Sequence, residues 1–290
     1  LDAAVVANLT STQVSALTTA QVAALGTDQL EVLTPSQLLR LDSAQLQSLS
    51  VDQLNSLGTA QFQALTSRQI GALGSEQLVN LASEDLRALS STQLRGLGTA
   101  ALAALDSTDL ALLTSGQLAG LTTVQLRALE SNDLPGIGTD VLGALSGAQI
   151  GALTSGQLSA LTDAQWQSLG SAQLRGLGSA QLQSLGTETL NLLTTDQFQA
   201  LSSAQIAALT TAQFANLGGD DLAALTTTQV RSMELRDIAV LDSGDLACRQ
   251  RGELRCGQRV QHVGGQACQL GGGEAAHLLG GQCQQVVAGH

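Results

Sequence analysis

The octad Leu33-Thr34-Pro35-Ser36-Gln37-Leu38-Leu39-Arg40 contains a complete signal for the start of a helix. Thr34 can cap a helix, and Gln37 lies three residues later, where its side chain can bond back to the backbone of Thr34, so the pair forms a capping box. Pro35 falls at the first helical position, where its missing N–H costs nothing. This octad therefore predicts a short helix that begins at Pro35.

The same signal returns every eight residues along most of the chain. Leu occupies the first position of each octad from Leu9 to Leu241, with Ile137 and Met233 as the only substitutes. The consensus is Leu, then Thr, Gly, Ser or Asp, then Ser or Thr, a variable residue, Gln, an apolar residue, a variable residue, and Ala, Ser or Gly. These places are called positions one to eight below. About thirty octads follow one another without a slip in register.

Neither a single long helix nor a β-solenoid explains this period. Eight residues turn an α-helix by roughly 800°, so successive octads would drift around its surface and form no apolar stripe. Apolar residues at positions one and six also lack the strict alternation of a half-buried strand. We therefore predict an all-α fold, a solenoid of very short capped helices with one helix per octad. Such units bury too little alone and are stabilised by stacking on their neighbours.

The rare residue types indicate which positions face the core and which face solvent. All four aromatic residues lie at position six, which predicts a core role in preference to a binding role; they are Phe62, Trp166, Phe198 and Phe214. Five arginines share position seven, which we expect to face solvent; they are Arg87, Arg95, Arg127, Arg175 and Arg231. The small residues at position eight suit close approach between helices.

Acidic residues and one proline interrupt the consensus. Five octads carry Asp at position five, where a carboxylate suits the positive end of the helix dipole; these residues are Asp85, Asp109, Asp133, Asp221 and Asp237. Asp220 and Asp221 are adjacent, and we interpret them as a solvated cap in preference to an acid–base pair. Pro135-Gly136 predicts an early helix end or a small bend.

Composition and motifs exclude several classes of function. The net charge of -12 comes from scattered acids, and the arginines are too dispersed to neutralise a phosphate backbone, so nucleic acid is not an expected partner. No apolar run reaches the length of a membrane span. The array has neither His nor Cys to act as base or nucleophile, and it has no phosphate loop and no calcium motif. We predict no catalytic, cofactor-binding or metal residues, no cofactor and no enzymatic activity.

The octad pattern stops near residue 247, which divides the chain into an array, 1–247, and a Gly- and Gln-rich tail, 248–290. The tail holds all Cys and His residues, but their spacing matches no compact zinc motif; they are Cys248, Cys256, His262, Cys268, His277, Cys283 and His290. Its Gln and Gly rows also recur every eight residues, as complementary-strand reading of octad codons would give. Our hypothesis is an antisense-encoded piece of the array or a junction artefact, irregular and poorly ordered.

The array resembles the octad repeats of very large bacterial surface and secreted proteins of adhesin or haemagglutinin type. The segment Leu17-Thr18-Thr19-Ala20-Gln21-Val22-Ala23-Ala24-Leu25 carries this resemblance, which covers nearly all of 1–247. It implies an extracellular or cell-surface location and a spacer or stalk that carries a binding domain elsewhere. No catalytic residues come with it.

Three functions remain open at this point. The first is a structural spacer of a bacterial surface protein, such as an adhesin stalk or filament, whose partners are neighbouring domains of a larger protein or further copies of itself. The second is a ladder of Ser and Thr hydroxyls at positions two and three that binds a glycan or ice. The third is a protein–protein scaffold along a concave face. The sequence leaves handedness, octads per turn and oligomeric state undetermined.

Overall fold

The computed structural model describes residues 2–241, and it confirms the all-α solenoid. Within this range every octad forms one helix of four to six residues, 29 of them α-helical and one 3-10 helical. The helices are α1 Ala3–Ala7, α2 Ser11–Ser15, α3 Thr19–Ala23, α4 Thr27–Glu31, α5 Pro35–Leu38, α6 Ser43–Gln47, α7 Val51–Asn55, α8 Thr59–Ala64, α9 Ser67–Ile70, α10 Ser75–Val79, α11 Ser83–Ala88, α12 Ser91–Arg95, α13 Thr99–Ala103, α14 Ser107–Leu112, α15 Ser115–Gly120, α16 Thr123–Ala128, η1 Ser131–Gly136, α17 Thr139–Gly143, α18 Gly147–Ile150, α19 Ser155–Ser159, α20 Asp163–Ser168, α21 Ser171–Arg175, α22 Ser179–Ser184, α23 Thr187–Asn191, α24 Thr195–Ala200, α25 Ser203–Ala207, α26 Thr211–Ala215, α27 Gly219–Ala224, α28 Thr227–Arg231 and α29 Leu235–Ala239.

Each helix starts at the cap that the sequence predicts. Thr34 has extended backbone angles, and Pro35 is the first residue of α5. The Thr34 hydroxyl accepts the backbone N–H of Gln37, and the Gln37 side chain accepts the backbone N–H of Thr34. Where position two is Gly, as at Gly58, the glutamine still accepts the cap N–H. The capping box thus defines the helix start in most of the described octads.

The six-residue α-helices end where the chain turns back into extended geometry at the next Leu. Leu65, for example, follows α8 with φ -62° and ψ 139°. Its backbone N–H donates to the carbonyl of Phe62 over 3.1 Å, which closes the last turn. The extended Leu and the extended cap that follows it leave no room for a longer helix, so the period of eight is built into each unit.

Removing one cap hydroxyl should have a modest and local effect. The Thr154 hydroxyl accepts the backbone N–H of Gln157 over 3.1 Å at the start of α19. We expect Thr154→Ala to lower the free energy of unfolding by about 1 kcal/mol and Thr154→Gly by only a few tenths. Urea unfolding followed by circular dichroism checks this, and a loss that is larger in the Gly variant would contradict the capping role.

Three octads complete one turn of the solenoid. The contact pattern divides the chain into two units, Leu1–Leu161 and Thr162–His290. In the first unit α2 packs on α5, α5 on α8, α8 on α11 and α11 on α14; in the second α21 packs on α24 and α24 on α27. Within each unit, a helix therefore stacks on the helix three octads away, a number that the octad pattern alone did not give.

Positions one and six form the core in both units. Leu33 and Leu38 are 3% and 0% exposed. The four aromatic residues are buried, as predicted: Phe62, Trp166, Phe198 and Phe214. The five position-seven arginines are exposed, also as predicted: Arg87, Arg95, Arg127, Arg175 and Arg231.

The octad that contains Pro135 forms the 3-10 helix η1, which runs to Gly136, so the predicted early helix end is wrong, whereas the alternative of a small bend stays a prediction. Pro135 has no N–H to donate to the carbonyl four residues earlier, which removes an α-helical bond and favours the tighter helix. Ile137 still donates its N–H to the carbonyl of Leu134, as the first residue of other octads does. η1 packs on α14 and α19, three octads before and after it.

Close backbone approach at position eight is visible at Gly96. A Cβ at Gly96 would collide with the backbone carbonyl oxygen of Ser67, three octads earlier, whereas a Cβ at Gly98 would meet nothing. We expect Gly96→Ala to lower the free energy of unfolding by about 1–3 kcal/mol, because the stacked backbones must separate. Gly98→Ala is the matched control, expected within about 0.5 kcal/mol of wild type. Equal effects in urea unfolding would contradict the close approach.

Two sequence predictions concern other properties of the chain. Among the helices of residues 2–241, none combines the length and apolarity needed to cross a bilayer. The predicted tail, 248–290, with its Cys and His residues and its antisense hypothesis, lies outside the described residues.

Candidate functional site

The most regular polar feature is a row of glutamine amides in the solenoid interior, at position five. Gln93 is 4% exposed. Its Oε1 accepts the backbone N–H of Ser90 over 2.8 Å, which caps its own helix. Its Nε2 donates to the carbonyls of Phe62 and Leu65, both over 2.7 Å. One side chain therefore caps its helix and ties it to the preceding turn.

The same arrangement recurs in both units. In nine further glutamines Nε2 donates to the carbonyl of the Leu at position one, three octads earlier, over 2.7 to 2.9 Å; they are Gln53, Gln69, Gln117, Gln125, Gln157, Gln197, Gln205, Gln213 and Gln229. Most of these side chains also reach a carbonyl at the end of the helix four octads earlier. We call this set the glutamine ladder. It supplies a donor to carbonyls that the short helices leave without an internal partner.

The ladder explains why position five is Gln where a capping box alone would accept Gln or Glu. A carboxylate can accept the cap N–H, but it has no N–H to donate to the preceding turn. Glu occurs at position five in none of the octads of residues 1–241. Sequence reasoning identified the capping half of this side chain and missed the donor half, although the absence of Glu was the available signal.

Position seven adds a second connection between turns on the outer surface. Arg95 Nε donates to the carbonyl of Gly120 over 3.0 Å, and Arg175 Nε donates to the carbonyl of Ala200 over 2.9 Å. Gln47 and Gln183 donate to position-eight carbonyls in the same way. Arg95 and Arg175 therefore bind the following turn of their own unit, although both residues are exposed.

The cap hydroxyls that could form a binding ladder are largely occupied. The Thr34 hydroxyl accepts the N–H of Gln37 and donates to Gln37 Oε1 over 2.8 Å. The same donation occurs from Thr10, Thr66, Ser90, Thr114, Thr122, Ser146, Ser202, Thr210 and Thr226. A hydroxyl used twice within its own octad has little capacity left for a glycan or for ice.

The aspartates at position five differ in their partners. Asp109 accepts the backbone N–H of Asp106, and Asp237 accepts that of Glu234, as the dipole argument predicts. Asp85 and Asp221 are buried and accept no hydrogen bond from any group of residues 2–241. Burial, reinforced by the adjacent acid, raises the pKa of each to about 6. The interpretation of Asp220-Asp221 as a solvated cap is therefore wrong for Asp221, because stacking buries position five.

Across the part of the chain that the structure describes, no group of three His, Cys, Asp or Glu side chains is placed to hold a metal ion. The statement that the whole chain has no catalytic, cofactor or metal site stays a prediction. What the geometry assembles across residues 2–241 is a repeated set of hydrogen bonds within octads and between neighbouring turns.

These features define a class of protein, a tandem-repeat solenoid of very short capped helices. Within that class, the model of the ALTTAQ repeat family matches most of the array, and the chain belongs to this family. The matched segments are residues 6–42, 22–59, 38–75, 53–83, 78–115, 126–163, 166–203 and 190–219. The six letters of the family name occur unchanged at 16–21 and 208–213. The curated proteins contain no match to the chain.

Proposed function

We propose that this array is a structural spacer in a bacterial surface or secreted protein, of the kind found in adhesin stalks and filaments. The observation that carries the proposal is the glutamine ladder. Its amides bond each turn to the one before it, so the repeated polar groups are used to extend the stack. A spacer needs only this property, because its length follows from the number of octads.

The extracellular location and the partners belong to the same proposal. The resemblance to large surface proteins supports an extracellular location. The array of residues 1–247 contains no Cys, which suits an extracellular protein that does not rely on disulfides. The expected partners are neighbouring domains of the parent protein or further copies of the array. Neither an enzymatic reaction nor a nucleic acid is part of the proposal.

The alternative functions receive less support. The hydroxyl ladder would need free hydroxyls, and ten of the cap hydroxyls among residues 2–241 already donate to glutamine. Position-three hydroxyls remain as candidates for glycan or ice binding. A protein–protein scaffold would need a recurring exposed pattern, but positions four and seven vary from octad to octad.

A length series tests the spacer directly. Insertion of three, six or nine consensus octads into the array should increase the maximum dimension by about 10 Å per three octads, the spacing of stacked helices. Small-angle X-ray scattering measures this dimension, and insertion of four residues in place of eight is the control that breaks the register. A dimension that does not grow with octad number would refute the spacer.

A different variant separates the alternatives. Replacement of position-three Ser and Thr by Ala in six adjacent octads should leave the maximum dimension unchanged. If the array is a spacer, neither the wild type nor this variant should bind in a glycan array or in an ice-affinity assay. Specific glycan or ice binding that disappears in this variant would favour the hydroxyl ladder.

A further inference from the structure

Two places in the array carry the same unusual set of three residues. The first is Asn55, Asn80 and Asp85 in the first unit, and the second is Asn191, Asn216 and Asp221 in the second unit. The separations along the chain are identical in the two sets, and Asn occurs at position seven nowhere else in the octads of residues 1–241.

The hydrogen bonds of the two sets are also identical. Asn55 Nδ2 donates to the carbonyl of Asn80 over 2.7 Å, and Asn55 Oδ1 accepts the backbone N–H of Ala82 over 2.9 Å. Asn191 Nδ2 donates to the carbonyl of Asn216, and Asn191 Oδ1 accepts the N–H of Gly218, both over 3.0 Å. Asn55 and Asn191 therefore each accept the backbone N–H of the N-cap residue of a later octad.

Because the asparagine accepts this N–H, the aspartate of that octad lacks the hydrogen-bond donor that a position-five side chain normally has. The cap N–H that Asn55 accepts is the group that a position-five side chain accepts elsewhere, as Asp109 does from Asp106. Asp85 is left with no donor although it is only 2% exposed, and Asp221, 7% exposed, is in the same condition. A buried carboxylate without a donor is strongly disfavoured in its charged form.

A second unsatisfied acceptor belongs to each site. In the glutamine ladder, Nε2 donates to the Leu carbonyl 28 residues earlier, as from Gln93 to Leu65. The carbonyl at the same separation from Asp85 is that of Leu57, and it receives no hydrogen bond from residues 2–241. The carbonyl of Leu193 has the same relation to Asp221. Carboxylate and carbonyl are both acceptors, and only the protonated acid supplies a donor.

We propose that Asp85 and Asp221 are proton-binding sites through which mild acid stabilises the array, and that Asn55 and Asn191 are the positioning residues that create them. Protonation removes the buried charge and adds one O–H donor to each site, at the position where most octads have a glutamine. The complete set recurs once in each unit, with the same hydrogen bonds, so the two sites should respond to pH in the same way.

The surrounding charges act in the same direction. Glu84 beside Asp85 and Asp220 beside Asp221 raise the pKa of these carboxyls further, to about 6. Of the helices packed on α11, α8 has no ionisable side chain and α14 contributes Asp109. α24, packed on α27, contributes Asp196. The only cation on these helices is the exposed Arg87, and neither carboxylate forms an ion pair within residues 2–241.

The direction of the pH effect follows from linkage. The unfolded carboxyls have ordinary pKa values near 3.8, below the folded values of about 6. Between these two values the folded chain binds more protons than the unfolded chain, so lowering the pH through this window stabilises the fold. The stabilisation is complete below the unfolded value and is lost as the pH rises through 6.

Carbon-13 NMR of the side-chain carboxyls in the full chain tests the sites in the wild-type protein. We expect Asp85 and Asp221 to titrate with midpoints near pH 6. In the variant Asn55→Ala/Asn191→Ala the cap N–H becomes available to the aspartates, and both midpoints should fall. Wild-type midpoints near pH 4 would overturn the proton-binding sites, and unchanged midpoints in the asparagine variant would overturn the positioning role.

Thermal unfolding between pH 7 and 4.5 tests the consequence for stability. The variant Asp85→Asn/Asp221→Asn should lose the part of the acid stabilisation that the two carboxyls provide. Asp52→Asn/Glu188→Gln is the matched control, since it removes two exposed position-four charges on helices other than those packed on α11 and α27, and keeps every histidine of the tail. The same pH response in both double variants would overturn the proposal.

Discussion

Replacing Gln93 by Glu is expected to lower the free energy of unfolding at pH 7 by about 2–5 kcal/mol, the cost of buried acceptors left unpaired beside a buried charge. The new carboxylate keeps the cap bond to Ser90, because a capping box accepts either side chain. It loses both donations to the carbonyls of Phe62 and Leu65, and it places a negative charge beside those oxygens. Urea unfolding followed by circular dichroism measures the loss.

Gln13→Glu is the control for this substitution. Gln13 caps its own helix through the N–H of Thr10 over 2.8 Å, but its side chain is exposed and makes no bond to an earlier turn among residues 2–241. Its replacement should change stability by no more than about 0.5 kcal/mol. Acid should partly rescue Gln93→Glu, since a protonated Glu can donate one hydrogen bond. Equal losses at both positions would show that capping, and not donation between turns, determines the role of glutamine.

Trp166→Ala should lower the free energy of unfolding by about 3–5 kcal/mol, because it removes the largest buried side chain of the described residues and leaves a cavity. Trp166→Leu restores the residue that most octads use at position six, so its loss should be clearly smaller. The neighbouring exposed residue provides the control, and Gln167→Ala should be nearly neutral. Circular dichroism is the suitable probe in urea, since the substitution removes the only Trp. A Trp166→Ala variant as stable as wild type would show that position six is loosely packed.

The two predictions concern different positions of the octad. Position six provides apolar burial that any octad with a large apolar residue can supply. Position five provides a hydrogen-bond pattern that only an amide completes, with an acceptor directed to its own helix and donors directed to the preceding turn. A solenoid built in this way grows by adding octads that satisfy both requirements, which is the behaviour expected of a spacer.

The sequence by itself determined the local structure of each octad. The start of α5 at Pro35, the cap at Thr34 and the burial of the aromatic residues all follow from interactions within one octad and from the period of eight. These interactions join residues three or four positions apart, as in the bond between Thr34 and Gln37. Local sequence therefore contains all the information that they require.

Only the tertiary structure decided which octads meet. The donor half of Gln93 acts on carbonyls 28 and 31 residues earlier, and the burial of Asp221 results from stacking rather than from its own helix. The number of octads per turn depends on the angle between consecutive short helices, and the period of eight does not encode that angle. The absence of Glu at position five could have indicated a donor, but it could not have identified the carbonyl that receives it, because that partner exists only after the turns have stacked.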